Sequence, residues 1–398
     1  MDFQIIIGSQ VDSQLELTRV CCQPQQGIQL SNLVSKWSFI SMELQLELFT
    51  SIFKRRIMST PVADYQIFEL GDIVLQCGIT LRKAFIAYKT FGELNASKDN
   101  VIVYPTWFSG QHTENEWLIG EGKALDPAKY FIIIPNMFGN GLSSSPSNTP
   151  PPFNAARFPR ITAYDNVLQQ QRLVASFGIS EVKLVTGWSM GANQTYHWAV
   201  MFPDMVRNIL PFQGAAKCSR HNHVFLEGAK AALEADGNFN GGWYGSVLPE
   251  KGLRAFGRVY AGWGFSQSFY RENLDLSAMG YASLEDFLVG FWENLFLNRD
   301  PNNLLCMLWT WQHSNIADNA AYSGDFARAL ASIKARAIVM PARTDLYFPP
   351  EDNVIEVGHM PNAQLRVVET IWGHFAGGPC LCPQDFKVLD DAIKELLA

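Results

Sequence analysis

Val182-Lys183-Leu184-Val185-Thr186-Gly187-Trp188-Ser189-Met190-Gly191-Ala192 is the stretch that decides how this chain folds. It opens on an apolar run, passes through a serine set between two glycines, and continues into a helical pattern over Ala192–Phe202. Val182–Thr186 reads as a strand, because a short apolar run bounded by turn residues suits a sheet covered on both faces. The glycines permit a sharp strand-to-helix turn that lifts the Ser189 hydroxyl clear of the sheet. The helix that follows points its first N–H groups at the same place, where a negative charge is stabilised. G-x-S-x-G alone is a weak motif. With a strand before it and a helix after it, Ser189 is a candidate nucleophile, and the rival reading is a serine in a tight turn.

Outward from this turn the same alternation recurs. Val101–Tyr104, Phe131–Ile134, Ile209–Phe212, Ala337–Met340 and Leu365–Val368 are short apolar runs, interleaved with helical patterns at 164–177, 191–202, 350–358 and 384–397. Phe68–Gln76 and Leu81–Tyr88 read as a hairpin turning at Cys77-Gly78. The fold class is therefore α/β, with a mostly parallel sheet covered on both faces. Residues 216–330 break the alternation. They carry no clear strand, are rich in Gly, Trp and Phe, and show helical patterns at 225–235, 250–260 and 284–296. An insertion at this point predicts a helical lid over the C-terminal edge of the sheet, where such folds bind ligands. Residues 1–60 differ from the rest, with frequent Gln and Ser and a basic run at Lys54-Arg55-Arg56. They read as an extension that is disordered, a targeting segment, an accessory helix near 42–53, or sequence missing from a mature protein starting near Met58. The globular domain spans 61–398.

A nucleophilic serine needs a base, and the base needs a carboxylate to orient it. After the lid, Ala337–Met340 runs into Pro341-Ala342-Arg343-Thr344-Asp345, and Leu365–Val368 leads to Ile371-Trp372-Gly373-His374. Asp345 and His374 thus lie on loops beyond strand ends, in the chain order Ser, Asp, His. Glu351 and Asp352 are the rival carboxylates; His359, at the end of a helical pattern, is the rival histidine. An oxyanion hole requires two backbone donors. Met190 supplies one; Phe108, or failing it Trp107, supplies the other from the loop after Val101–Tyr104. Trp188, flanking the nucleophile, and His112, just after that loop, are candidate pocket residues.

Composition narrows the classes. The chain has 398 residues, with 31 Lys and Arg against 38 Asp and Glu, so no basic surface predicts nucleic acid or anionic lipid as a partner. No long uncharged apolar stretch predicts a membrane span. Seven cysteines at no repeating spacing read as thiols in a reducing compartment, and a cytoplasmic location is expected. Gly139-Asn140-Gly141-Leu142-Ser143-Ser144 lacks the third glycine of a dinucleotide loop and reads as a pocket edge. His221-Asn222-His223 has no companion ligand at metal spacing. Neither a metal nor a resident cofactor is expected; the partner is a small acyl substrate, and a homodimer is left open.

With these residues in place, the chain resembles the homoserine O-acetyltransferase-like (MetX-like) branch of the α/β-hydrolase superfamily. The resemblance covers Ala87-Tyr88-Lys89-Thr90-Phe91-Gly92, Phe108-Ser109-Gly110-Gln111-His112, the Ser-Met-Gly turn, Gly241-Gly242-Trp243-Tyr244, Asp345 and His374. It implies an α/β-hydrolase fold and acyl-serine chemistry on Ser189, Asp345 and His374. The transferases have Gly before the nucleophile and Gly-Gly after Ser-Met, where this chain has Trp188 and Gly191-Ala192. Their Asp-Pro-x-Trp lid motif appears here as Gly237-Asn238-Phe239-Asn240. Hydrolysis of an ester, thioester or lactone is accordingly the favoured expectation. Acyl transfer from acyl-CoA to an alcohol, with acyl-CoA as co-substrate, is the alternative. A non-catalytic binding protein is the third reading. The aromatic-rich lid predicts an apolar or polyketide-like substrate.

Overall fold

In β4 (Phe131–Pro135), side chains alternate between two buried layers: Ile132 and Ile134 enter one, Phe131 and Ile133 the other. That alternation is what a strand covered on both faces must show. The computed structural model of the protein describes residues 64–376, 378 and 382–398, so the readings made for 1–60 lie outside the described residues. The remaining strands are β1 (Gln66–Val74), β2 (Thr80–Phe91), β3 (Val101–Val103), β5 (Leu184–Trp188), β6 (Asn208–Phe212), β7 (Arg336–Val339) and β8 (Ala363–Leu365). They form one sheet in the order β1-β2-β4-β3-β5-β6-β7-β8. The β1–β2 and β2–β4 pairings are antiparallel, and every later pairing is parallel.

Each face of the sheet has its own core. On one face, Val101, Val103, Val185, Ile209 and Val339 pack with Val167 and Leu173 of the helix Ala163–Ser176 and with Trp198 of the helix Met190–Met201. On the other, Ile102, Leu184, Leu210 and Ile338 pack with Leu389, Ile393 and Leu396 of the C-terminal helix Pro383–Leu397. Burying each such side chain contributes roughly 1.5–3 kcal/mol. The helix Ala163–Ser176 starts on a reciprocal capping box between Thr162 and Asp165, which satisfies N–H groups its first turn leaves open.

Strand β5 ends later than its apolar run predicts. Register with β6 carries it to Trp188, opposite Phe212, while Val182 makes only an isolated bridge to Val206. The strand therefore delivers the chain directly to Ser189, and the helix begins at Met190. At the far edge, β8 spans only Ala363–Leu365, and Val368 reaches Ala342 by an isolated bridge.

Between β6 and β7 the chain is helical, with principal helices Arg220–Glu234, Glu250–Gly264 and Pro301–Gln312. Leu284–Leu297 is a helical stretch interrupted by a π-turn at Leu288–Glu293. The predicted lid boundary at 330 is too late. Ile316, Ala317, Ala329 and Leu330 enter the sheet-face core that holds Val339, so the chain has left the lid soon after Gln312. The helix Phe326–Ala331 is short, and its periodicity is too brief to separate it from the lid in sequence. The helix Pro301–Gln312, missed by that reading, starts on the Asp300 cap with Pro301 in its first turn.

Candidate active site

Ser189 sits between β5 and its helix at φ 57° and ψ −123°, a conformation that a side chain rarely adopts. The neighbouring glycines are required by contact rather than by their own torsions. A β-carbon on Gly187 would stand 2.3 Å from the carbonyl carbon of Gly191, and one on Gly191 would stand 2.8 Å from the Pro105 oxygen. One on Gly214, in the loop after β6, would meet the Ser189 oxygen at 2.7 Å. The turn that carries the strained serine is thus packed too closely to admit a side chain at any of the three glycines. Ala192 and Asn193 both donate their N–H groups to the Ser189 carbonyl, which starts the helix beneath it.

The two later loops bring Asp345 and His374 together. His374 Nδ1 lies 2.8 Å from Asp345 Oδ2. The other carboxylate oxygen accepts the N–H groups of Tyr347 and Phe348 at 2.8 and 3.2 Å, so the carboxylate is fixed before it meets the ring. Thr344 Oγ1 donates to the Thr370 carbonyl and accepts from Gly373 N, tying the aspartate loop to the histidine loop. Gly373 has φ 62°, and a β-carbon there would meet Ser266 N at 2.8 Å. Ser266 Oγ in turn donates to the Ile371 carbonyl, so the lid helps to hold the histidine in place. The imidazole is boxed by aromatic rings: Trp188 stacks on it at 5.0 Å, Tyr347 meets it edge-on at 4.7 Å, and Phe348 tilts against it. Trp188 Nε1 also donates to the His374 carbonyl at 3.0 Å.

Ser189 and His374 open onto one cavity of about 40 Å³. Its floor is Trp107, Phe108, Ser109 and Trp188; its roof includes Tyr260, Trp292, Phe296 and Trp311 from the lid. Phe108 stacks on Tyr260 at 5.7 Å. Both candidates for the second oxyanion donor, Phe108 and Trp107, lie on this wall, and Met190 is buried at the helix start beside Ser189. Ser109 is held at φ 62°, and a β-carbon on Gly110 would meet the Trp107 ring at 2.6 Å.

Several expectations change. His112 is not on the cavity wall; it is buried between Asp64, which its Nε2 meets at 3.0 Å, and Asn136, which its Nδ1 meets at 3.1 Å. Its proximity in sequence to the Phe108 loop misled, because the helical turn His112–Leu118 carries it away. Asp64, His112 and Glu116 place potential ligand atoms within 4.8 Å of one another, but Lys89 Nζ already lies 2.8 Å from Asp64 and 2.6 Å from Glu116. Hydrogen bonds from Lys89 and His112 hold the Asp64 carboxyl down at about 2. Neither rival carboxylate pairs with His374, and His359 closes the helix Pro350–Val357 by donating to the Glu356 carbonyl. Asn222, within the supposed metal-like His-Asn-His run, donates instead to the Tyr347 carbonyl at 2.6 Å. Tyr260, Trp292, Phe296 and Trp311 were missed as individuals, their only signal being the aromatic density of the lid; Tyr347, on the Asp345 loop, was missed too.

A serine on the turn after the fifth strand of such a sheet, with an Asp–His pair on later loops, defines an enzyme of the serine hydrolase and O-acyltransferase class. The chain belongs to the alpha/beta hydrolase fold family, which matches residues 102–377. It is 41% identical over 314 residues to a probable esterase of Corynebacterium glutamicum, covering 78% of this chain and 89% of the relative. It is 38% identical over 329 residues to the ethyl acetate hydrolase of Pseudomonas veronii, covering 82% and 92%. The solved structure of an acetylester hydrolase from C. glutamicum superposes with a TM-score of 0.81 at 40% identity, covering 84% of this chain and 95% of that one. Homoserine O-acetyltransferases stand further off, that of Trichormus variabilis at 29% identity over 76% of this chain and 86% of the relative. The chain lies in the branch holding both activities, nearer the esterases.

Proposed function

We propose that the protein hydrolyses esters of short-chain acids, acetate foremost, through an acyl-Ser189 intermediate. The observation that carries this reading is the cavity of about 40 Å³, whose lining includes no Lys, Arg, Asp or Glu. A small cavity lined by aromatic rings suits a compact apolar acyl group. The names of the nearer relatives, an ethyl acetate hydrolase and an acetylester hydrolase, agree with this assignment.

In the first half-reaction, Ser189 Oγ attacks the ester carbonyl carbon and passes its proton to His374 Nε2. Asp345 holds the ring through Nδ1 and faces the imidazolium that forms. The N–H groups of Met190 and Phe108 stabilise the oxyanion. The carbon–oxygen bond to the alcohol breaks, and the alcohol leaves with the proton from His374. Water then attacks the acyl-serine, giving its proton to the same nitrogen, and the acid departs as Ser189 is restored. No step calls for a metal or a resident cofactor, and acyl-CoA has no part in this reading. The four described cysteines are free thiols, which supports a reducing, cytoplasmic setting.

The test is a series of 4-nitrophenyl esters from acetate to octanoate. Acetate gives the highest kcat/KM, with a fall of about tenfold or more for each pair of added methylenes once the cavity is full. Ser189→Ala lowers kcat by about 10⁴-fold or more, and intact-mass measurement finds one acetyl group on the wild-type chain alone. A preference for octanoate, or acetylation that persists in Ser189→Ala, would falsify the assignment.

A further inference from the structure

Beside the acyl cavity lies a second one, of about 190 Å³, and Ser109 is a wall of both. The same two chain segments line the pair. The loop after β3 presents Trp107 and Phe108 to the first cavity, then Gln111 to the second. The lid presents Leu295 and Phe296 to the first, then Asn298, Arg299, Asp300 and Asn303 to the second. Leu304 and Met307 also line the second cavity, so its wall is polar along Gln111 and residues 298–303 and apolar at those two side chains. Asn140 and Gly141 complete the polar side, so the loop read from sequence as a pocket edge is one.

The chemistry of this second cavity selects its occupant. Arg299 commits only Nη2, to both oxygens of Glu114 at 2.6 and 2.7 Å, and its Nε is buried without a partner. Glu114 already neutralises the guanidinium, and Asp300 stands beside it on the wall. An anion gains nothing here, because the local charge, counting Arg299, Glu114 and Asp300, is not positive. An apolar group would displace water from amides and a guanidinium without replacing the hydrogen bonds. Hydroxyl groups both donate and accept, and they suit a wall that mixes Ser, Gln, Asn and Arg.

We infer that the substrate is the short-chain ester of a small, uncharged polyol, with its acyl group among the aromatic rings and its hydroxylated alcohol part against Arg299, Gln111 and Asn298. The inference rests on the ester hydrolysis proposed above. The alcohol oxygen leaves toward this polar cavity, and the free polyol departs through it.

The experiment compares 2,3-dihydroxypropyl acetate with 2-methylbutyl acetate, in which methyl and methylene-bound methyl replace the two hydroxyls at nearly constant shape. Wild-type kcat/KM favours the dihydroxypropyl ester by about tenfold or more, the size expected when a site built for hydroxyls loses its partners. Arg299→Lys keeps the charge opposite Glu114 but loses the planar fork. In it, that preference ratio falls at least about fivefold, the net worth of one ordinary hydrogen bond. Equal rates for the two wild-type esters, or an unchanged ratio in Arg299→Lys, overturn the inference while leaving ester hydrolysis standing. Failure of both esters to be cleaved in a Ser189-dependent way marks failure of the earlier reading instead.

Discussion

Trp188 touches the catalytic apparatus from two directions, since its ring stacks on His374 and its Nε1 holds the carbonyl of the same residue. A phenylalanine would keep the stacking surface and lose the hydrogen bond. Trp188→Phe is expected to lower kcat about tenfold with KM for 4-nitrophenyl acetate changed less, because a base misplaced by a fraction of an ångström costs rate more than binding. Trp188→Ala opens the floor of the acyl cavity and should move the preferred acyl chain toward butyrate and hexanoate. Steady-state kinetics across the ester series check both; a kcat retained in full by Trp188→Phe would show the bond to be idle. At this scale the sequence was informative about Ser189, Asp345 and His374, because each sits at a strand end in an order that the chemistry requires. It misled about His112, whose burial against Asp64 and Asn136 depends on where a short helical turn points.

The elements explain why the catalytic loops hold their shape. Strand β5, its turn and the following helix are local in sequence, and they were legible for that reason. The histidine loop is held by contacts distant in sequence: Thr344 to Gly373, Ser266 to Ile371, and the lid backbone against Gly373. Gly373→Ala meets both a left-handed φ of 62° and a β-carbon position 2.8 Å from Ser266 N. It is expected to destabilise the fold by about 1–3 kcal/mol and to lower kcat, since relief requires the His374 loop to move. Thermal unfolding and kcat on 4-nitrophenyl acetate are the measurements, and an unshifted Tm with full kcat would refute the clamp. The lid's limits were not legible, because its last helices alternate between covering the site and covering the opposite face of the sheet. The cavity's size was equally hidden, set by rings from segments far apart in sequence, from Trp107 to Phe375.

At the scale of the whole molecule, one buried acid lies beneath the sheet end without taking part in the reaction. Glu356 accepts from Ala216 N at 2.7 Å and from Asn353 Nδ2 at 2.8 Å, and burial pushes its carboxyl up to about 7. A carboxyl raised on folding binds its proton more tightly in the folded chain. Its contribution to stability is therefore full below the ordinary value of 4.5 and is lost as pH rises through about 7. Buried His197 acts at the other end: desolvation lowers its ring to about 4, so its contribution is lost as pH falls from 6.5 through that value. In Glu356→Gln the decline in Tm between pH 5 and pH 8, set by these values, should flatten relative to wild type. An identical slope in both proteins would exclude Glu356 as its source. The fixing of Gly373 by residues 264–266 has a further consequence for anyone exchanging parts among relatives. The cap over this site is not a detachable module, and a graft of another enzyme's cap must bring its own matching histidine loop. Specificity in this branch should thus evolve by changes to side chains on a retained cap more readily than by wholesale replacement of it.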